Sequence, residues 1–405
     1  MDQQPRDAFA AFREMFPGTA DLTYLAVAAR GLISRPVRQA MDDYLDARMQ
    51  GRADKAWMFE RAEGSRAGFA RLIGTVDDEI ALIKNVSEGI NTVACAVDWR
   101  PGDNVVLCES LEHPANIFPW RNIARQRNLT IKTVAADNGR IDLARIADAI
   151  DRRSRVVAIA SVSFAPGFRA PMAELGSLCR DRGVLLVVDG AQSEGILTTD
   201  VEAMKIDALA TSSQKGLLAL YGGGFLYVRR AVAEALSPNY LSRAGVAVAS
   251  DHEASTGDPA GYQLAPSARR FDVGNHNFLA AIALEQSLRD LAALEIAQIE
   301  AHCISLARQL AANLRELGLP ILGDPVEQPS QIVAVGRALS DAHDTSDDTA
   351  LIALHDFLMA NNVRLTIRRG ILRFSFHAYN AQEDVERVSD LARTSLRREC
   401  SNPFG

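Results

Sequence analysis

VLLVVDGAQSEG (Val184–Gly195), DALATSSQKG (Asp207–Gly216) and YGGGFLYV (Tyr221–Val228) decide the fold. The first is a β-branched apolar run ending in Asp189-Gly190-Ala191-Gln192. The second ends in Thr211-Ser212-Ser213-Gln214-Lys215-Gly216, and the third follows a glycine triplet. Short apolar runs bounded by such clusters read as buried strands. Polar residues just past the C-terminal ends of buried strands are where α/β folds build their sites. An acid behind one strand and a lysine behind the next can hold a charged ring between them.

Working outward, the alternation continues on the N-terminal side. Strands are expected at Glu79–Lys84, Asn104–Cys108, Thr130–Val134 and Val156–Val162, with helices between them. Strand–helix alternation predicts an α/β fold with a doubly wound, seven-stranded, mainly parallel sheet between residues 79 and 228. Residues 1–20 read as an amphipathic helix stopped by Pro17-Gly18, and Pro36 opens another helix. Residues 237–275 are rich in Ser, Gly, Asp and Pro and break the pattern. A long helix over Asn277–Leu317, broken once, leads to a second, smaller α/β domain. The expected division is residues 20–275 for the large domain and 1–19 plus 276–405 for the small one. Ser340–Asp348 (SDAHDTSDD) reads as a solvated loop rather than a metal site, and no metal is expected.

Composition excludes several classes. A net charge of −7 over 405 residues, with no basic stripe, argues against a nucleic-acid partner. No apolar run is long enough for a membrane span, and the acidic N-terminus is not a signal peptide. Five cysteines, far apart and without CxxC spacing, fit reduced packing thiols and a cytoplasmic location. The strand at Glu79–Lys84 breaks at Asn85-Val86-Ser87-Glu88-Gly89 before a helix, with Ser87 read as its N-cap. A hydroxyl and free backbone N–H groups at a helix N-terminus suit a phosphate.

In order, VDGAQ, SSQK, EHPANIFPW and the C-terminal RRGILRFSFHAYN resemble the fold-type I pyridoxal phosphate enzymes. The resemblance is to the class V aminotransferase and cysteine desulfurase group, from about Tyr24 to Arg393. It implies pyridoxal 5'-phosphate as cofactor, bound by the large domain, with Lys215 forming the internal aldimine. Asp189 would pair with the protonated pyridine nitrogen, and Gln192 would donate towards the phenolic oxygen. Val86 and Ser87 would hold the phosphate, with Ser212 and Gln214 completing the cup. His113 matches the residue that stacks on the ring face, and Arg373 the arginine that grips the substrate α-carboxylate. Asn275 sits where the group often has a threonine reaching the partner subunit's phosphate, so a homodimer with shared sites is implied.

Departures from the pattern bear on the reaction. Desulfurases carry a nucleophilic cysteine just before the carboxylate arginine; here Arg364–Leu372 is short and has none. Phe164 stands where desulfurases place an asparagine. SVSFAPGFR and the final motif look closer to isopenicillin N epimerase-like members. Arg30, in a turn lacking the usual acidic or Asn residue, and Arg368 would suit a substrate with a second acidic group. The expected function is a class V-type aminotransferase acting on an amino acid. A carbon–sulfur or related lyase, or an epimerase, is the alternative.

Overall fold

A computed structural model describes residues 3–247, 261–323 and 329–400. Seven runs form the principal sheet: β1 (Ile80–Ile83), β2 (Asn104–Leu107), β3 (Thr130–Thr133), β4 (Ser154–Ala160), β5 (Leu185–Asp189), β6 (Ala208–Ser212) and β7 (Gly224–Val228). Their order is β1-β7-β6-β5-β4-β2-β3. Strands β2 to β6 pair in parallel, while β7 runs antiparallel to both β6 and β1. The reason lies in the β6–β7 connection. It holds no helix, so the chain lacks the crossover a parallel return requires and turns straight back.

Alternate residues of these strands feed two cores. Val106, Val157, Leu186, Val188 and Phe225 point to one face; Val105, Val156, Val187, Ala210 and Leu226 point to the other. Both faces are covered, which is why the runs read as continuously apolar. Helix α1 (Lys55–Leu72) lies on the first face with Phe69 stacked on Phe225. Helix α2 (Val86–Ala96) lies on the second, where a Cβ on Gly89 would stand 2.7 Å from Ala210 Cβ. Only a glycine lets α2 sit that close to β6, and the contact fixes its first turn near the end of the sheet.

After residue 275 come α3 (Phe278–Leu294) and α4 (Ile296–Glu316), separated by Glu295 at φ +62°. Ala283, Leu284 and Leu288 of α3 pack with the large sheet, whereas Leu291 and Leu294 join the next core. That core covers a second sheet of β8 (Ile332–Val335), β9 (Thr366–Arg368) and β10 (Ile371–Ser375), antiparallel in the order β8-β10-β9. The N-terminal segment straps the two together. Thr23 and Tyr24 pair in parallel with Val363 and Arg364, and Ala26 bridges Ser375. Arg66, fully buried in α1, pairs with Asp272 at 2.8 Å, while Asp272 also accepts from Leu82 N of β1 at 2.8 Å. Among the described residues no helix is long and apolar enough to cross a membrane.

Candidate active site

Lys215 sits on the β6–β7 connection, in the floor of a cleft of about 430 Å³ between the two sheets. Its loop is clamped from both sides. Gly31 N donates to Gln214 O at 2.8 Å, and His377 Nε2 donates to Gly216 O at 2.8 Å. His377 Nδ1 accepts from Ala378 N at 2.7 Å, so the ring proton belongs on Nε2. A Cβ on Gly31 would lie 2.5 Å from Lys215 O, so the N-terminal turn docks directly on the lysine's backbone. The amine is enclosed by protein yet reaches the cleft. Burial lowers its pKa to about 8, opposed by Asp189 and helped by the charges of Arg373 and Arg368.

Asp189 ends β5, and burial raises its pKa against the pull of Lys215. Its Oδ1 accepts from Ala191 N at 2.9 Å. Gln192, one turn on, lines the cleft with its Nε2 donating to Ala28 O at 3.1 Å. In this protein that amide is engaged by the N-terminal turn.

His113 forms part of the opposite wall. Its Nδ1 accepts from Ala115 N at 3.2 Å, capping a short 3₁₀ turn and leaving Nε2 to carry the proton. Burial first, then the charges of Lys215 and Arg373, lowers its pKa to about 4, so the ring is neutral at pH 7. Phe164 meets it edge-on, with centroids 5.3 Å apart and planes at 89°. The preceding Glu112 is buried, with its carboxylate accepting from Ala160 N and Asn116 Nδ2, each at 2.8 Å. These bonds tie the His113 loop to β4.

Arg373, from β10, is buried with Nε donating to Thr366 Oγ1 at 3.2 Å and Nη1 to Phe164 O at 2.6 Å. Burial, then Arg368, lowers its pKa to about 9, and it stays cationic at pH 7. Arg30 and Arg368 line the same cleft. Arg368 is already paired with Asp344, from the loop that reads as merely solvated. That loop reaches the site through an isolated bridge between His343 and Arg368.

The remaining expected residues fall outside this cleft. Ser87 is not the N-cap of α2: Asn85 is, its Oδ1 accepting from Glu88 N at 2.9 Å. Glu88 Oε2 in turn accepts from Lys84 N at 2.6 Å. Val86 and Ser87 thus occupy the first turn, their N–H groups at its open end. Ser212 is buried at the end of β6, and Gln214 is half-buried beside Lys215. Asn275 is exposed and lines a second cleft of about 280 Å³, together with Lys84 and Glu88 of the α2 entrance. Tyr24, Tyr221, Arg364 and Thr366 line the lysine cleft without having been singled out. Thr366 had a usable signal, since it lies seven residues before Arg373 across a tight hairpin.

A seven-stranded sheet with one reversed strand, and a lysine on the loop before it, is the arrangement that the resemblance to fold-type I pyridoxal phosphate enzymes implies. A family model, Aminotransferase class-V, matches residues 23–388, and the chain belongs to that family. It is 30% identical to a probable cysteine desulfurase of Methanothermobacter thermautotrophicus, over 93% of this chain and 96% of that one. The apo structure of a cysteine desulfurase from Thermococcus onnurineus has a TM-score of 0.80 at 26% identity, covering 95% and 97% of the two chains. A variant of a cystine C–S lyase, with glycine covalently linked to its pyridoxal phosphate cofactor, shares the fold. That match has a TM-score of 0.81 at 21% identity and covers 94% and 98% of the chains.

Proposed function

We propose that this class V enzyme uses pyridoxal phosphate to transaminate an amino acid, with Lys215 as the residue that binds the cofactor. The observation that carries the reading is the convergence of Lys215, His113, Gln192 and Arg373 on one cleft, with Asp189 buried behind it. The donor set fits the cofactor: a carboxylate for a ring nitrogen, an enclosed amine for an aldehyde, and a helix N-terminus for a phosphate. Val86 and Ser87 would take the phosphate, with Ser212 and Gln214 beside the lysine. When bound, the cofactor supplies an electron sink for the carbanion at substrate Cα.

The protein's own residues do the rest. Lys215, with its amine near pKa 8, is partly neutral at pH 7 and can both attack a carbonyl and carry a proton. Asp189, buried behind the lysine, would hold the positive charge of the ring nitrogen. His113, neutral, would lie against the face of the cofactor ring. Arg373 supplies a fork for the α-carboxylate. By resemblance to the family, a homodimer is part of this reading, its partner reaching the entrance beside α2 where Asn275 lines the second cleft.

A desulfurase relay through a local thiol lacks its nucleophile, since no cysteine lines the cleft among the described residues. Cys108, near the His113 loop, is buried and its pKa is raised by burial. Carbon–sulfur lysis is the second reading, favoured by the names of the similar proteins. Single-turnover reaction with an amino-acid panel tests the choice. Stoichiometric 2-oxo acid is expected; release of sulfide or ammonia, or inversion of the substrate, would overturn transamination.

A further inference from the structure

The charge inventory of the lysine cleft exceeds what an α-amino acid needs. Arg30, Arg364, Arg368 and Arg373 line it together with Lys215, and no aspartate or glutamate does so among the described residues. One guanidinium, Arg373, answers the α-carboxylate. The cofactor phosphate is assigned to Val86 and Ser87, neither of which lines this cleft. Arg364 is held by backbone, with Nη1 donating to Met359 O at 3.1 Å. Arg368 is neutralised by Asp344, which also contacts His343 at 2.9 Å. Arg30 is exposed on the N-terminal turn beside Tyr24, which donates to its carbonyl oxygen at 2.7 Å. A concave site of one sign concentrates counter-ions and disfavours neutral occupants.

We propose that the substrate carries a second carboxylate, on its side chain, taken by Arg30 and Arg368, with Asp344 as the group it displaces. This rests on the amino-acid reading above and narrows it to acidic amino acids. Asp344 then acts as an internal stand-in: it pairs with Arg368, whose Nη1 also donates to Ile367 O at 2.7 Å, until a substrate anion replaces it. Neutral side chains would leave Arg30 without an anion and Arg368 on its internal partner, so they gain nothing from either group.

The test is calorimetric titration of the cofactor-loaded protein, at low salt, with glutarate and with butyrate, neither of which can react. Glutarate is expected to bind about tenfold or more tightly, an advantage that shrinks as salt is added. Arg30→Gln and Arg368→Gln should each cut that advantage to below about threefold, and Asp344→Asn, which frees Arg368, should enlarge it. Equal affinities in the parent protein, or an advantage unchanged in all three variants, would overturn the proposal. The visible cofactor band, recorded on every sample, separates the two failures. A normal band with no preference for glutarate removes only the second-carboxylate site. Absence of the band removes the underlying reading.

Discussion

The protonation of Lys215 offers a quantitative check that needs no substrate. An ordinary lysine titrates near 10.5, whereas burial brings this amine to about 8. At pH 7 the neutral fraction is then about one in eleven, against about one in three thousand for an unperturbed side chain, a gain of roughly 300-fold. Competitive labelling of the apo-protein with an acylating reagent, read by peptide mass across pH 6 to 11, reports this fraction directly. Labelling of Lys215 should rise about tenfold per pH unit below its midpoint and level off above about 8. Asp189→Asn removes the one negative charge that favours the ammonium form, so the midpoint should move down. The same shift has a thermodynamic consequence whose sign is fixed. Between about 8 and 10.5 the unfolded chain holds a proton on this lysine that the folded protein lacks, so its share of stability rises with pH. Lys215→Met should therefore stabilise the apo-protein at pH 7, with the gain gone by about pH 10.5. A labelling midpoint near 10, or an upward shift in Asp189→Asn, would refute the reasoning.

Arg66→Ala leaves Asp272 buried without its cation and should cost about 3–5 kcal/mol, read as a lowered urea midpoint; an unchanged midpoint contradicts the role given to that pair. Iodoacetamide at pH 7.5 should leave turnover intact, because burial raises the thiols of Cys108, Cys179 and Cys303; inactivation protected by substrate would place a cysteine in the chemistry.

Much of this architecture is legible in the residues because the strands are buried on both faces. Runs such as Leu185–Val188 and Ala208–Ala210 have no polar position to confuse with a surface helix, and each ends at a site residue. The turn to antiparallel pairing at β7 could have been read from the short β6–β7 connection. Cap identity could not: Asn85 and Ser87 are both good N-cap residues, and backbone geometry alone decides that Asn85, extended at φ −172°, lies outside the helix. Long-range partners were equally hidden. Gln192 and Ala28 stand 164 positions apart, and nothing local shows that the amide is committed to that carbonyl. Arg368 and Asp344 meet only because the hydrophilic loop folds back over β9, and hydrophilic composition by itself reads as solvated surface. His377 was visible as part of a motif, but its hold on the lysine loop depends on how the second sheet docks against the first.

Lys215 is the residue proposed to bind pyridoxal phosphate. Borohydride reduction of the cofactor-loaded protein, followed by peptide mapping, tests it most directly. A single pyridoxyl adduct is expected, on the peptide that carries Lys215, and none in Lys215→Ala. An adduct on another lysine, or no adduct at all, would contradict it.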